Sequence, residues 1–525
     1  MAKGKNKMDL VWITLLLVCP AIMLAGNVLV VPLDGSHWVN MKIIVEELHS
    51  RGHSVSVVRT SDSWYIKESS PFYTAITLDM ESGFGEEFIT AFIAKLLEIQ
   101  RNGSSWAHFQ LQMELNSNLH KKWATLIEHI FDNKHLMESL RDAKYDIVLT
   151  DPVTPLGVMI ARHFDLPLVF NVRWTCHDEG HFAIAPSPLS YVPLPGMMLS
   201  DKMSFQERFI NVCAYYATQL SFANFVTPCY DGLMQKYFPQ DSLISLLQRA
   251  DLWLMRIDFV FEFPRPTMPN VIYMGGFQCK PAKPLPQHLE DFVQSSGEHG
   301  VIVMSLGTLI ASLPHEVSEE IAAAFAKLPQ KVIWRHTGEP PVSLGNNTLL
   351  VDWMPQNDLL GHAKTKVFVA HGGTNGVQEA IYHGVPILGL PLVFDQHDNL
   401  FKMEFRGACK ILNIFTINRD SFLQGIEEVI HEPSYRMNMQ RLSSLHRDQP
   451  MKPLDHAIFW IEYVIRNKGA AHLRSESYTM PWYSYHSVDV ILFLLGILLI
   501  MILTFVAFVK RLCFCVCRRI KRKRD

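Results

Sequence analysis

At 525 residues the chain is too long for one ordinary hydrophobic core, so two domains with flanking targeting segments are expected. Apolar residues make up 48% of it and the formal net charge is -3. That balance excludes a disordered chain and a nucleic-acid binder, whose domain would be strongly basic.

Lys3, Lys5 and Lys7 precede an apolar run from Leu10 to Ala25, the pattern of a secretory signal peptide over 1–26. Asp9 interrupts it, and an uncleaved anchor helix is the alternative. From Asn27 to Pro32 an apolar strand leads into a polar loop, a helix over Trp38 to Ser50 ending at Gly52, and a second strand over Ser54 to Arg59. This β-α-β order implies a parallel sheet. Phe84 to Asp142 reads as a helical insertion, with Phe88, Phe92, Leu96 and Ile99 on one face. Strands return at Asp146–Thr150 and Leu166–Phe170, and four prolines between Pro186 and Pro195 force an extended loop.

A second α/β series starts near Gly300, with strands at Val301–Ser305, Val332–Arg335, Thr348–Trp353, Val367–Ala370 and Pro386–Leu390, and a helix at Glu316–Lys327. The proline-rich stretch Lys280–Pro286 separates the two series as a linker. The expected division is therefore an N-terminal domain over 27–279, a linker over 280–286 and a C-terminal domain over 287–450. A return helix and membrane-proximal segment follow over 451–489. Two doubly wound α/β halves facing each other place a ligand cleft at the carboxyl ends of both sheets.

Val490–Val509 is uninterrupted apolar sequence, long enough to cross a bilayer at about 1.5 Å per residue. Lys510, Arg511, Arg518, Arg519, Lys521, Arg522, Lys523 and Arg524 follow, which makes 510–525 a cytosolic tail and places the domains in a lumen. Nine cysteines divide among the signal, the membrane edge and five lumenal positions, an odd and scattered set that makes no disulfide framework. In a lumenal chain Asn102 and Asn346, each heading an Asn-x-Ser/Thr triplet, are acceptors for N-glycosylation.

Chemistry concentrates between Trp353 and Asn399. Val369-Ala370-His371-Gly372-Gly373-Thr374-Asn375-Gly376 is a strand, a glycine turn and a helix start, where unpaired amides and the positive dipole end bind phosphate. An ordinary strand-helix turn has the same outline. Trp353 offers a ring on which a base can stack, Gln356 an amide to read its edge, and Glu379 a carboxylate for a ribose hydroxyl pair. Asp395 and Gln396 suit sugar hydroxyls, although Asp395 is equally placed to be a helix N-cap. His177 and His181 lack the acidic residue of a metalloprotease helix, and His446-Arg447-Asp448 lacks the other parts of a kinase site.

The segment Trp353–Asn399 resembles the donor-binding signature of the UDP-glycosyltransferase family, in particular the animal UDP-glucuronosyltransferases. Asp34-Gly35-Ser36-His37-Trp38, Thr150-Asp151-Pro152, Trp253-Leu254-Met255-Arg256, the Lys280–Ser296 stretch, Ser305-Leu306-Gly307 and the anchored tail carry the same resemblance. It implies the two-domain GT-B architecture, with an acceptor held by the first half and a UDP-sugar by the second. It also implies His37 as general base with Asp151 as its partner, and inversion at the anomeric carbon. A histidine of pKa about 6.5 can take a hydroxyl proton while a carboxylate stabilises the imidazolium.

The resemblance further places Ser305, His371 and the amides of Thr374, Asn375 and Gly376 around the departing UDP, with no bound cofactor and no metal. Arg335 resembles a nucleotide contact, against a surface salt bridge. Arg256 matches a position pairing with the carboxylate of UDP-glucuronic acid, against a structural ion pair with Asp258 or Glu262. Lys521 and Lys523 resemble a retrieval signal for the endoplasmic reticulum membrane, which implies a single-pass type I protein. The expected partners are a UDP-sugar, a small lipophilic acceptor and the membrane, with homo- or hetero-oligomers left open. Two alternatives stand: a transferase of UDP-glucose, UDP-xylose or UDP-N-acetylglucosamine, and a catalytically silent glycoside-binding membrane protein of the same fold.

Overall fold

The computed structural model describes residues 25–81, 85–102, 104–173, 183–307 and 313–523. The expected signal segment through residue 24, His177, His181, and Gly103 of the first glycosylation triplet lie outside the described residues. The described chain up to Leu473 belongs to one compact unit, and the chain from Arg474 onward to a second.

In the first unit, β1 (Asn27–Val31), α1 (Ser36–Ser50), β2 (Ser54–Thr60) and β3 (Thr74–Leu78) open the chain. The helical insertion forms α2 (Glu86–Asn102), α3 (Ser105–Asp132) and α4 (Lys134–Asp142). After it come β4 (Ile147–Thr150), α5 (Leu156–His163), β5 (Leu168–Val172), α6 (Phe205–Ser221), β6 (Leu252–Met255) and β7 (Val271–Tyr273). The strands make one sheet in the order β3-β2-β1-β4-β5-β6-β7, all parallel. Such a sheet is covered on both faces, so its central strands β4, β5 and β6 are buried at every position rather than at alternate ones, whereas β2 and β3 toward one edge carry Ser, Thr and Arg. Val28 and Val30 join the core under α1, whereas Leu29 and Val31 join the core on the other face.

The second sheet follows β8 (Val301–Ser305), α7 (His315–Phe325), β9 (Lys331–Arg335), β10 (Thr348–Val351), β11 (Thr365–Ala370), α8 (Thr374–His383), β12 (Ile387–Gly389), α9 (Gln396–Phe405) and β13 (Cys409–Ile411). Its order is β10-β9-β8-β11-β12-β13, again parallel. Strand order reverses direction between β1 and β4 in one sheet and between β8 and β11 in the other. At each such reversal the loops leave in opposite directions and open a crevice at the carboxyl ends.

Beyond β13, α10 (Arg419–His431) and α11 (Pro433–Arg447) complete the second lobe. The next helix, α12 (Pro453–Asn467), does not stay with it. Its Ala457, Ile458, Ile461 and Val464 pack into the core beneath β1 and α1, and Asp455 pairs with Arg51 at 2.7 Å. The chain thus crosses back as a return helix, and the Arg51–Asp455 pair that it makes with the first lobe joins residues 404 positions apart.

Three features differ from the expectation. α1 begins at Ser36 rather than Trp38, which takes His37 out of the loop and into a helical first turn. Strands β3, β6, β7 and β13 were not foreseen, because three to five residues with no clean alternation carry little periodic signal. In the second unit the apolar helix, α13 (Val488–Lys521), runs past Val509 through the basic stretch, since Lys and Arg are good helix formers. It is long and apolar enough to cross a membrane.

Candidate active site

The loop after β1 turns at Gly35, whose φ of +72° suits glycine. Asp34 ties it down by accepting from the amides of Trp64 at 3.0 Å and Tyr65 at 3.2 Å. His37 follows in the first turn of α1, and Asp151 follows β4, so the two flank the reversal point of the first sheet. The His37 Nδ1 donates to Asp151 Oδ2 at 2.6 Å, with the histidine 7% and the aspartate 1% exposed. Asp151 Oδ1 accepts from the Val153 amide at 3.0 Å. A carboxylate held at both oxygens fixes the proton on Nδ1 and leaves Nε2 as the basic nitrogen.

Facing this pair, His371 follows β11 at the reversal point of the second sheet. A Cβ on Gly373 would lie 2.6 Å from its Nε2, and one on Gly307 2.7 Å from the ring, so two glycines wall the slot that holds it. Burial pulls His371 down to about 4, which keeps the ring neutral near pH 7. Its Nδ1 has no hydrogen-bond partner among the described residues. α8 starts beside it at Thr374 with no side chain capping its amides. An uncapped helix start next to such a ring nitrogen leaves amides and the positive end of the helix dipole open, a setting that favours an anion.

Arg256, at the end of β6, is fully buried. Its Nη2 donates to Asn375 Oδ1 at 2.7 Å, and with the Asn40 amide turned so that its oxygen faces the guanidinium, that oxygen accepts from Nη1 at 3.0 Å. Burial, with the nearby charge of Arg173, lowers Arg256 to about 9, so it remains a cation at neutral pH. Neither Asp258 nor Glu262 takes it as an ion-pair partner. Asp258 binds His446 Nδ1, and Glu262 binds Lys402 Nζ at 2.6 Å.

At the nucleotide end, Trp353 is 72% exposed. Gln356 Nε2 donates to Glu379 Oε2 at 2.6 Å, and Gly376 packs against Phe368 and Gln356. Ser305 closes β8 and is buried. Arg335 is not in a salt bridge among the described residues; its Nε donates to the Asp352 carbonyl at 3.0 Å and its Nη1 to the Gly307 carbonyl, which staples the loops after β8 and β10.

Burial pushes Glu379 up from the ordinary 4.5 to about 7, with repulsion from Asp358 adding to it. The folded protein then holds a proton that the unfolded chain has lost between about pH 4.5 and 7, so stability falls as pH rises through that window. Melting temperatures at pH 5 and pH 7.5 without nucleotide should show this fall, and Glu379→Gln should flatten it. An equal fall in both proteins would exclude Glu379 as its source.

Asp395 occupies the N-cap position of α9 but its side chain caps nothing. It accepts instead from Thr374 Oγ1 and Asn399 Nδ2, both at 2.8 Å, which locks the loop after β12 to the start of α8. Gln396 Oε1 accepts from the amides of Leu392 at 2.8 Å and Val393 at 3.0 Å, so its NH2 is the end that remains to donate.

His37, His371, Thr374, Asp395 and Gln396 share the wall of one cavity of about 660 Å³ between the two sheets. Ser305, Arg335, Trp353, Gln356, Asn375, Gly376, Glu379 and Arg256 do not reach that wall, and Asp151 stands behind His37. The rest of the lining is largely aromatic and aliphatic, with Phe88 and Phe92 from α2, Trp123 from α3, and Phe261, Phe263 and Phe394. Sequence reasoning missed Arg173, which also lines the cavity and follows β5. A search of strand carboxyl ends for charged residues would have found it. Asn346 is exposed in the turn before β10; the side chain of Asn102 is outside the described residues.

Residues 26–524 match the family described as UDP-glucoronosyl and UDP-glucosyl transferase. The chain is 40% identical over 520 residues to UDP-glucuronosyltransferase 2A2 of Mus musculus, covering 96% of this chain and 97% of that protein. To UDP-glucuronosyltransferase 2B15 of Homo sapiens it is 40% identical over 516 residues, 95% of this chain and 96% of that one. Among solved structures, the calicheamicin glycosyltransferase CalG4 superposes with a TM-score of 0.57 at 16% identity, covering 84% of this chain and 99% of its own. The glycosyltransferase VinC, in complex with DTDP, gives 0.52 at 18%, covering 84% and 100%.

Proposed function

The chain belongs to the UDP-glucuronosyl and UDP-glucosyl transferase family, and from that premise we propose that it moves glucuronic acid from UDP-glucuronic acid to hydroxyl groups of small lipophilic acceptors. UDP-sugar glycosyl transfer to small acceptors is the family's activity; the uronate donor and the residue roles go beyond it. The observation that carries it is the opposition, across one cavity, of the His37–Asp151 pair and the uncapped start of α8 with His371.

In the proposed reaction His37 Nε2 takes the acceptor hydroxyl proton as that oxygen bonds to the anomeric carbon. The bond from that carbon to the UDP oxygen breaks, and the configuration inverts. Asp151 stabilises the imidazolium that forms. Charge developing on UDP meets the first amides of α8, the Thr374 hydroxyl and the His371 ring, a fixed set of dipoles that need not reorganise. Trp353, Gln356 and Glu379 hold the uridine, with Ser305 and Arg335 shaping the loop beside it. Asp395 and the Gln396 amide meet the sugar hydroxyls. The aromatic lining suits acceptors with little charge. The apolar helix and its basic end support attachment to the endoplasmic reticulum membrane with the sheets in the lumen.

A donor panel on membranes carrying the protein, with a simple phenol as acceptor, tests this. UDP-glucuronic acid should exceed UDP-glucose, UDP-xylose and UDP-N-acetylglucosamine by at least about tenfold in kcat/KM, the value of roughly one well-placed ionic hydrogen bond. A neutral donor used best would overturn the uronate assignment, and no UDP release with any donor would favour the silent binding protein.

A further inference from the structure

Past Gln396, α9 carries Asp398 and Lys402 and ends on Arg406 as its C-cap, an i, i+4, i+8 spacing that sets the three side chains in one stripe along the helix. Each of them bonds to the first lobe. Asp398 accepts through Oδ1 from the Met198 amide at 3.1 Å and through Oδ2 from the Gly196 amide, so it holds the end of the proline-rich loop. Lys402 Nζ donates to Glu262 Oε2 at 2.6 Å, and Arg406 Nη2 to the Glu262 carbonyl at 3.0 Å. The same two cations lie over neighbouring rings, Lys402 Nζ at 5.2 Å from the centre of Phe261 and the Arg406 guanidinium at 4.9 Å from that of Phe263. Both rings line the cavity, as do Pro193, Leu194 and Gly196 of the loop that Asp398 holds. On its own side that loop is held by Asn211 of α6, which accepts from the Leu194 amide at 2.9 Å and donates to the carbonyls of Leu189 and Val192. Beyond Leu194, Pro195 has no amide to give, and Gly196 and Met198 take φ of +85° and +49°, the second a conformation that methionine rarely adopts. It is this turn that Asp398 secures from the opposite lobe.

We propose that the wall of the acceptor pocket is positioned by the second lobe, with Asp398, Lys402 and Arg406 as positioning residues that hold the proline-rich loop and the Phe261–Phe263 segment around a lipophilic acceptor. This rests on the transfer reading above and is independent of which sugar is donated. The two segments supply apolar surface, for which a charged and hydroxylated UDP-sugar has little use, so their place is beside the acceptor. Neither segment is a strand or a helix, so its shape is set by such contacts rather than by a backbone ladder. The Lys402 and Glu262 side chains are 16% and 15% exposed, an enclosure in which removing one charge strands the other. Asp398 and Lys402 also reach the cavity. Yet both oxygens of the first accept from backbone amides and the ammonium of the second is paired with Glu262, so each directs its charge to the first lobe rather than to the sugar. Since the stripe begins two residues after Gln396, a shift at the sugar end of α9 carries the acceptor wall with it. Acceptor and donor affinities are therefore coupled through this helix.

Acceptor KM at saturating UDP-sugar, measured on membranes with phenol itself and with a bulkier fused-ring phenol, separates a wall-positioning role from a donor contact. Asp398→Ala and Lys402→Met should each raise the KM of the fused-ring phenol at least about tenfold and that of phenol less than about threefold, with the dissociation constant of UDP within about twofold of wild type. Asp398→Asn and Lys402→Arg should recover part of the loss and stop at about a threefold rise. Adding Glu262→Gln to Lys402→Met should raise the KM no further, since both changes remove one pair. Where a variant no longer binds UDP, its second lobe is misfolded, and the conservative change at the same position is read in its place. An unchanged acceptor KM in the variants that bind UDP, or a UDP-sugar KM that rises as far as the acceptor KM, overturns the proposal. A wild type that transfers sugar to no phenol removes the transfer reading and this inference together. An active wild type whose variants keep both acceptor constants removes this inference alone.

Discussion

His37→Ala is expected to lower kcat about 1000-fold with every UDP-sugar while UDP affinity stays within about twofold of wild type. General-base catalysis by a positioned side chain contributes about 10²–10⁴-fold, and the enclosure of His37 argues for a value well inside that range. Its Nδ1 is held at 2.6 Å by a carboxylate that is 1% exposed, so the base is both oriented and charge-balanced in the native structure. Asp151→Asn should act in the same direction but less strongly, because an amide oxygen can still accept from Nδ1 yet no longer balances the imidazolium charge. UDP affinity is the control, since the proposed diphosphate site lies on the other sheet. Single-turnover measurements at saturating donor separate these effects. Near-normal kcat in His37→Ala would show that the proton leaves by another route.

Gly372→Ala should be strongly damaging both to the second lobe and to nucleotide binding. The backbone there has φ of +91°, a region L-residues rarely adopt, and an added Cβ would lie 2.8 Å from the Gln396 carbonyl and 2.5 Å from Leu400 Cγ. Strain of about 1–2 kcal/mol and overpacking of about 1–3 kcal/mol sum to about 3 kcal/mol. At roughly 2–4 °C per kcal/mol for a lobe of this size, the melting temperature should fall by about 9 °C. UDP affinity should fall at least 30-fold besides, because relief of the clash moves the α8 amides and the Asp395 loop apart. Gly373→Ala is the informative companion. Its Cβ meets mainly the His371 ring, so it should weaken UDP binding with little change in melting temperature. Unchanged UDP affinity in both variants would show that the diphosphate does not sit at this turn.

The cluster from His371 to Glu379 was legible in the chain because a strand, a glycine turn and a helix start are local and need no partner to be recognised. Its geometry followed, since Gly372 adopts the backbone that only glycine accepts readily. Asp395 was legible as important and ambiguous in role, and the ambiguity ended only when Thr374 and Asn399, 21 residues earlier and 4 later, were found on the same carboxylate oxygen. Arg256 shows the reverse case. Its place at a strand end was readable, but what it touches was set by Asn40 and Asn375, which lie in opposite lobes.

Composition, apolar strands, glycine turns and the long apolar helix by themselves determined two parallel-sheet lobes, a glycine turn leading into a helix start, and a candidate membrane span. These depend on interactions within a few residues or on total burial, which any window of sequence displays. Only the tertiary structure decided which core α12 enters as it returns, that Arg173 rather than Arg256 lines the cavity, and the 2.6 Å contact by which His37 and Asp151 meet. Each of those depends on strand order. A parallel sheet brings together residues 114 positions apart, as with His37 and Asp151, at no local signal in the chain.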